Sequence, residues 1–276
     1  MSQQELSAQQ LARQLIPQLS LQLRGALTNI HTALAQIAPE QTETPDPAME
    51  KSLAILYQSY YRLLRLTNQL GAVPGLLNPP ELTLRNIDLS ALVEDLYQRC
   101  RPLCQEAGKE LSCQRQTDHC IISADAALLQ RLLLNLLSNA LSAAPSGSTV
   151  LLSLRVLSRY VLLSVADNGP GIPPSRQEDL FALGDPQQGL SLTPQGIGLG
   201  LPLCRMIAEA HGGSISVQSD ASGTTVTVSL PRDRLDNTDM RDVSFDFSDF
   251  SGGFNPLLME LSDALPYQVF TARHLD

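Results

Sequence analysis

The sequence lacks three features, each of which would indicate a particular class of protein. It has no apolar run of the roughly 20 residues that a membrane-spanning helix needs. Its N-terminal residues, MSQQELSAQQ, have neither the basic nor the apolar region of a signal peptide. Basic residues are scarce, with 19 Lys and Arg against 28 Asp and Glu, and the formal net charge is −9. We therefore expect a cytoplasmic protein that neither enters the membrane nor binds nucleic acid, because its charge would repel a phosphate backbone.

The cysteines lack the paired CxxC spacing that is typical of a zinc site. They are Cys100, Cys104, Cys113, Cys120 and Cys204. An odd number of cysteines without a secretion signal indicates reduced thiols rather than a disulfide framework. We interpret them as small apolar residues of the core.

The N-terminal region has the pattern of two amphipathic helices. Leucine and other apolar residues recur at three- and four-residue steps through 5–37 and again through 48–70, and the proline-containing segment 39–47 separates them. Two such helices bury little area alone. We therefore predict that residues 1–71 form a helical hairpin that completes its core with a second copy, as the four-helix bundle of a homodimer.

The remainder of the chain alternates between helical and strand patterns. Residues 72–82, rich in Gly and Pro, predict a linker before a domain at 83–232. In this domain we predict helices at 88–107, 125–143 and 198–211, and strands at 119–123, 150–157, 160–167, 214–219 and 224–230. Tight turns between adjacent strands favour an α+β, two-layer sandwich with an antiparallel or mixed sheet and helices on one face. The acidic residues 233–276 are expected to be a tail, either a docked arm with a short helix or disordered.

Two clusters in this domain carry groups that could hold a nucleotide. Asn135 and Asn139 are four residues apart on a predicted helix, so they share a face, and an amide oxygen there could ligate a hard cation such as Mg²⁺. Asp167 ends a predicted strand and leads into a turn with Gly169 and Gly171. A carboxylate fixed there could accept a hydrogen bond from an exocyclic amine such as that of adenine, while glycines allow a flat ring to approach.

A third cluster places Gly196, Gly198 and Gly200 directly before a helix. Glycines at this position leave backbone amides uncovered at the positive end of a helix, where they can bind phosphate. A dinucleotide-binding fingerprint would need its glycines after the first strand of a parallel unit. These glycines come late and precede an antiparallel hairpin, which excludes that reading.

In order and spacing, NLLSNA, DNGPGIP, the LFALG segment with Phe181, and GIGLGLPLC resemble the N box, first glycine box, F box and second glycine box of histidine-kinase ATPases. The resemblance implies an ATP and Mg²⁺ site. It implies that Asn139 is the magnesium ligand with Asn135 as its polar companion, and that Asp167 recognises adenine above the turn of Gly169 and Gly171. A mobile lid at 184–195 would have its hinge and nucleotide contacts at Gly196, Gly198, Leu199, Gly200 and Leu201.

One departure from the family pattern lies inside this domain. Ser142 stands where the family often has a basic residue that reaches toward the phosphates. Arg131 and Arg205 are available as substitute cations, but the sequence places neither at the phosphates.

The departures in the hairpin affect the chemistry directly. The segment LSLQLRGALTNI resembles the phosphoacceptor pattern SHELRTPLT. In this chain, however, Leu21 replaces the histidine and Gln22 replaces the acidic residue. Gly25 stands in place of the threonine that begins the Thr-Pro pair. A leucine cannot attack phosphorus, and a neighbouring amide cannot take its proton. His31 is the alternative nucleophile in the hairpin, about 80° around the helix from Leu21.

Three functions remain open at this stage. The first is a pseudokinase or nucleotide-dependent switch of two-component signal transduction, which binds ATP and Mg²⁺ without phosphorylating itself at the usual site. The second is an active kinase whose acceptor lies on a partner protein such as a partner kinase, with a response regulator as a further possible partner. The third is a nonenzymatic scaffold. A gyrase-type hydrolase is disfavoured, because Asn135 stands where that reaction needs a carboxylate base.

Overall fold

A computed structural model describes residues 19–34, 47–77, 81–177, 180–181, 199–233, 235 and 255–271. The chain divides into two compact units. The first comprises residues 1–78 and 266–276, and the second comprises residues 79–265. Among the described helices, none is long and apolar enough to cross a membrane.

The first unit is built on two helices, α1 at 19–34 and α2 at Pro47–Leu77. Arg24 of α1 donates a hydrogen bond to Asn68 of α2. Helix α2 continues to Leu77, so the predicted end near residue 70 is wrong. Gly71 lies within the helix beside Ser20 of α1, where an added Cβ would be at an ordinary contact distance of 3.7 Å. A glycine inside a helix weakens it but does not have to end it.

A C-terminal segment completes the first unit. The 3₁₀ helix Tyr267–Val269 packs against α2. The ring of Phe270 is fully buried and lies 5.8 Å from that of Tyr61, centroid to centroid. Lys51 lies over the ring of Tyr267, also at 5.8 Å. These contacts make residues more than 200 positions apart in sequence part of one core.

The second unit contains a five-stranded mixed sheet with the order β2-β4-β5-β7-β6. Its strands are β2 Glu110–Arg115, β4 Thr149–Val156, β5 Tyr160–Asp167, β6 Ser214–Asp220 and β7 Gly223–Pro231. Strand β2 is parallel to β4, and the other neighbours are antiparallel. A separate antiparallel pair joins β1 Arg85–Asp88 to β3 Ile121–Ala124. The mixed sheet confirms the predicted fold class.

Helices α3 Leu89–Glu106, α4 Ala126–Ala143 and α6 Gly200–Ala210 pack on the sheet, and the short α5 spans Pro174–Gln177. The alternation of the strands explains this one-sided packing. In β5, Leu163 is fully buried, whereas the neighbouring Ser164 is half-buried and its hydroxyl lies 3.0 Å from that of Thr227. The sheet thus presents apolar residues to the helices and hydroxyl-bearing residues to its other face.

Helix α4 is the centre of the second unit. It begins at Asp125, whose carboxylate accepts a hydrogen bond from the N–H of Leu128 as an N-cap. It contacts strands β4 and β5, helix α6 and a short helix of the C-terminal region, α7 Pro256–Glu260. Most of its residues are buried as a result.

Candidate functional site

Asp167 lies where β5 ends, with 8% of its surface exposed. The N–H of Gly169 donates to its Oδ1 at 2.8 Å, and the N–H of Thr224 on the neighbouring strand donates to the same carboxylate. Burial nevertheless raises the pKa of Asp167, because the loss of water outweighs the two donors. The result is a fixed, partly desolvated carboxylate at the end of the sheet.

The turn after Asp167 is confined on two sides. An added Cβ at Gly169 would lie 2.8 Å from the carbonyl oxygen of Ala143, at the C-terminal end of α4. Gly171 has φ +72°, and a Cβ there would lie 1.8 Å from the carbonyl oxygen of Asp220. Only glycine fits such contacts. The turn is therefore held between the end of α4 and the β6–β7 turn.

The amide pair lies on the face of α4 next to this turn. Asn135 has 1% of its surface exposed, and its Nδ2 donates to the carbonyl oxygen of Arg131 at 2.9 Å. Its Oδ1 is buried and accepts no hydrogen bond from any residue that the structure describes. Asn139, one turn later, is exposed. A buried acceptor without a donor is costly, so a bound group that pairs with this oxygen would stabilise the site.

The N-terminus of α6 meets the same pair. An added Cβ at Gly200 would lie 3.2 Å from Oδ1 of Asn135 and 3.7 Å from Nδ2 of Asn139. The N-cap residue, Leu199, makes no side-chain hydrogen bond to the first turn. The positive end of α6 therefore lies beside the amide pair, and no described N-cap side chain is bonded to its first backbone N–H groups.

Two further contacts fix α6 antiparallel to α4. The thiol of Cys204 lies 3.6 Å from the carbonyl oxygen of Leu132. At the other end, the N–H of Asp125 donates to Nε2 of His211 at 3.0 Å, while Nδ1 of the ring lies 2.8 Å from the carbonyl oxygen of Ile207. With Nε2 as the acceptor, Nδ1 is the ring nitrogen that can donate to Ile207. His211 thus joins the C-terminal end of α6 to the start of α4.

The three clusters of the sequence therefore meet along one helix. Asp167 and Gly169 lie at the C-terminal end of α4, and Gly200 lies at its middle, beside Asn135 and Asn139. Leu199 is buried, and Leu201 and Phe181 are half-buried. The predicted Gly196, Gly198 and lid 184–195 lie outside the described residues.

The hydrogen-bonding partners of the glycine turn could not be found from the sequence. Ser219 accepts the N–H of Ile172 at 2.8 Å, and its hydroxyl lies 2.8 Å from that of Thr224. Gln177 donates to the carbonyl oxygens of Ile172 and Ser219. Ser219 and Thr224 are ordinary residues of a β-hairpin about 50 positions away, and nothing in their local pattern connects them with Asp167.

No cluster of three or more His, Cys, Asp or Glu side chains that could hold a metal occurs in the part of the chain that the structure describes. A divalent cation would have to rely on amide oxygens and on oxygens of its ligand. Such a ligand set suits Mg²⁺, which uses few protein ligands together with phosphates and water. The Oδ1 of Asn135, buried and without a donor, fits this chemistry.

The position that resembles the phosphoacceptor lies in the first unit and is open to solvent. Leu21 is 71% exposed on α1, and Gln22 and Gly25 are exposed too. The preceding hydroxyl group, that of Ser20, is buried. The exposed position therefore carries an inert side chain.

His31 has a different environment. Its ring packs against those of Tyr57 and Tyr60, at centroid distances of 6.1 and 5.3 Å, and this burial lowers its pKa. His31 is thus a half-buried residue on the aromatic side of the hairpin, whereas Leu21 is exposed.

Comparison with known proteins identifies the second unit. Residues 124–234 match the family described as histidine kinase-, DNA gyrase B- and HSP90-like ATPase. Among curated proteins, the adaptive-response sensory kinase SasA of Prochlorococcus marinus (strain MIT 9303) is 38% identical over 146 residues, covering 52% of this chain and 38% of that protein. The sensor protein IrlS of Burkholderia pseudomallei (strain K96243) is 32% identical over 205 residues, which cover 72% of this chain and 42% of that protein. The chain thus spans less than half the length of both relatives.

Solved structures show the same relationship. Full-length ShkA in complex with AMPPNP is 25% identical, with a TM-score of 0.62, and the similarity covers 78% of this chain and 45% of that one. The catalytic domain of histidine kinase ThkA, at 24% identity and a TM-score of 0.50, is covered over 97% of its length and shows the same fold. The second unit is therefore an ATPase domain of the sensor histidine kinase family.

Proposed function

We propose that the second unit binds ATP with Mg²⁺, and that the chain acts as a nucleotide-dependent switch in two-component-type signalling without phosphorylating itself at Leu21. The observation that carries the proposal is the buried, unsatisfied Oδ1 of Asn135 beside the uncapped N-terminus of α6. Two independent features, an acceptor without a donor and backbone donors without a side-chain cap, meet at one place. A metal-bound polyphosphate satisfies both.

The positions of these groups support one orientation of the nucleotide in this proposal. Asp167 would accept the exocyclic amine of adenine, with the base lying against the turn at Gly169 near the C-terminal end of α4. The phosphates would extend along α4 to Gly200, where the N–H groups of α6 and the amide of Asn139 can reach them. The similarity to ShkA, whose structure was solved with the ATP analogue AMPPNP, supports a nucleotide in this domain.

The proposed loss of self-phosphorylation depends on α1. Leu21 has the exposure that an acceptor needs but no nucleophilic atom. The adjacent Ser20 is buried, and the half-buried His31 faces two tyrosines about 80° around the helix, so we propose that neither replaces it. In this proposal, ATP binding changes the conformation of the domain, but no phosphate is transferred to the position of Leu21.

Phosphorylation of a partner is the second candidate function. The ATPase site would be the same, and the acceptor would lie on another protein. Histidine kinase ThkA, 19% identical with a TM-score of 0.55, was solved in complex with the response regulator TrrA. We therefore propose a response regulator as the first partner to test, with a partner kinase as the second and a nonenzymatic scaffold as the remaining alternative.

We further propose that the first unit dimerises. Exposed apolar side chains recur at seven-residue steps on both helices, at Leu23 and Ile30 of α1 and at Met49, Leu56 and Leu63 of α2. This is the repeat that packs helices into a coiled-coil-like bundle. A second copy of the hairpin would cover these residues and complete a four-helix core.

The decisive experiment combines calorimetry with phosphate labelling. Titration of the protein with ATP and Mg²⁺ should show saturable binding, and the variant Asn139→Ala should bind more weakly because it loses a metal ligand. Incubation with γ-labelled ATP should leave no acid-labile label on the chain. Acid-labile label on this chain would contradict the loss of the acceptor, and absence of any binding would contradict the nucleotide site. Label on an added response regulator would favour the second candidate.

A further inference from the structure

Arg131 is the only charged residue in the sequence of α4. It is half-exposed and precedes Asn135 by one helical turn. The carbonyl oxygen of Arg131 accepts the hydrogen bond from Nδ2 of Asn135, which directs the amide oxygen of that side chain away from the backbone. A single cation in an otherwise uncharged helix is therefore adjacent to the amide pair.

Helix geometry places Arg131 on the nucleotide face. A helix turns by about 100° per residue. Viewed down the axis, Arg131 is about 40° from Asn135, and Ser142 is about 20° from Asn135 in the same rotational direction. Arg131 and Ser142 therefore lie on one stripe of the helix, at opposite ends of the amide pair. A long cationic side chain at either position can reach a ligand bound over that pair.

The order of groups along α4 gives the end of the ligand that Arg131 would meet. The glycine turn after Asp167 packs against Ala143, and Gly200 packs against Asn135 and Asn139. Arg131 lies about 6 Å further along the axis from Asn135, away from the turn. A nucleotide with its base at the turn would thus direct its terminal phosphates toward Arg131.

Two other cations of the described residues near α4 have contacts that lie away from the amide pair. Arg205 pairs with Glu209 at 2.7 Å on the exposed side of α6. Lys109 donates to the carbonyl oxygen of Leu141, at the end of α4 where the base would lie. Because the chain carries a net charge of −9, a polyphosphate needs a local cation to offset the general repulsion.

We infer that Arg131 binds the terminal phosphates of the nucleotide and supplies the positive charge that Ser142 does not. This inference rests on the proposed nucleotide site and names one more residue of it. A guanidinium can bind two phosphate oxygens at once, which a single ammonium cannot do with the same geometry. The positive charge thus comes from Arg131, in the N-terminal part of α4, instead of from the position of Ser142 near its C-terminal end.

Calorimetric binding of adenosine, ADP and Mg·ATP to the unmodified chain and to three variants tests the inference. In Arg131→Gln, affinity for ATP should fall about tenfold to a hundredfold, as expected for loss of charge-assisted hydrogen bonds. Adenosine should bind as it does to the unmodified chain. The matched control Arg205→Gln removes a cation of α6 and should change neither affinity. The double variant R131Q/S142K should recover most of the affinity for ATP, because the new lysine lies on the same stripe.

The results separate this inference from the proposed function. If the unmodified chain binds no adenine nucleotide, the proposed function fails. If the unmodified chain binds ATP and Arg131→Gln binds it equally well, the nucleotide site stands and the role of Arg131 is overturned. An equal loss for adenosine and ATP in Arg131→Gln would also overturn it, because that pattern indicates structural damage. A loss confined to the phosphate-bearing ligands supports it.

Discussion

At the scale of single residues, Asp167 is subject to two opposing demands. Its burial favours the protonated form, and this raises the pKa of the carboxyl group. Recognition of an adenine amine requires the charged, accepting form. A bound amine would be a third donor to this carboxylate and would therefore favour its charged form.

The pH dependence of Asp167 follows from the direction of this shift. As pH falls through the raised pKa, the carboxylate takes up a proton, so affinity for ATP should decline at a higher pH than an ordinary aspartate would cause. The free energy of unfolding without nucleotide should instead rise as pH falls through the same range. The reason is that a native state with the higher pKa binds the proton more tightly than the unfolded state. Calorimetric titrations and denaturant unfolding over the same pH series measure both.

Asp167→Asn is the matched variant. It should bind ATP at least tenfold more weakly at neutral pH, as expected for loss of one hydrogen bond to a charged group. It should also lose the acidic limb of the binding profile, since an amide does not titrate. An acidic limb that persists in Asp167→Asn would assign the pH dependence to another group.

At the scale of elements, the short helix α7 extends the core beyond the residues that match the ATPase family. It begins after Asn255, whose side chain accepts hydrogen bonds from the N–H groups of Leu257 and Leu258. Leu258 is fully buried, and α7 contacts α4. The helix that carries the amide pair is therefore covered by a segment outside residues 124–234.

Substitution of Leu258 tests this contribution. Leu258→Ala should lower the free energy of unfolding by about 2–5 kcal/mol, the range for a buried leucine in a packed core. Leu157→Ala, at an exposed position of the second unit, should change it by less than about 0.5 kcal/mol. Denaturant unfolding of the two variants gives the comparison. A similar small change in both would show that α7 adds little to the core.

The sequence predicted those elements whose pattern is long and regular. Strand β5 and helix α4 agree with the predictions to within one residue, because alternation and helical periodicity are clear in both. Strands β1 and β2 were not predicted. They are short and carry polar residues at an edge or in a small separate sheet, so neither shows a sustained apolar alternation.

The site was predictable as three separate clusters, but not as an assembly. Asp167 and Asn135 could be selected because strand-end carboxylates and helix amides have recognisable chemistry. Their convergence on α4 depends on the antiparallel packing of α6, which is fixed by contacts such as Cys204 with Leu132 and Asp125 with His211. Contacts between residues that far apart leave no mark in local periodicity.

At the scale of the whole molecule, the exposed heptad residues of the hairpin predict a dimer. Leu56→Glu places a charge in the middle of the apolar stripe of α2 and should shift the protein from dimer to monomer in sedimentation velocity. Leu84→Glu, at an exposed leucine of the second unit, should leave the sedimentation coefficient unchanged. A monomeric unmodified chain, or a Leu56→Glu variant that remains dimeric, would contradict the assignment of this face.

The division of the chain between the two units has a consequence for C-terminal truncation. The first unit takes residues from both sides of the second, up to 78 and again from 266. The ATPase domain is therefore an insertion in the sequence of the first unit, and the polypeptide connects the two units twice. A truncation after residue 265 would remove the buried Phe270 from the core of the first unit, although it cuts the chain beyond the ATPase domain.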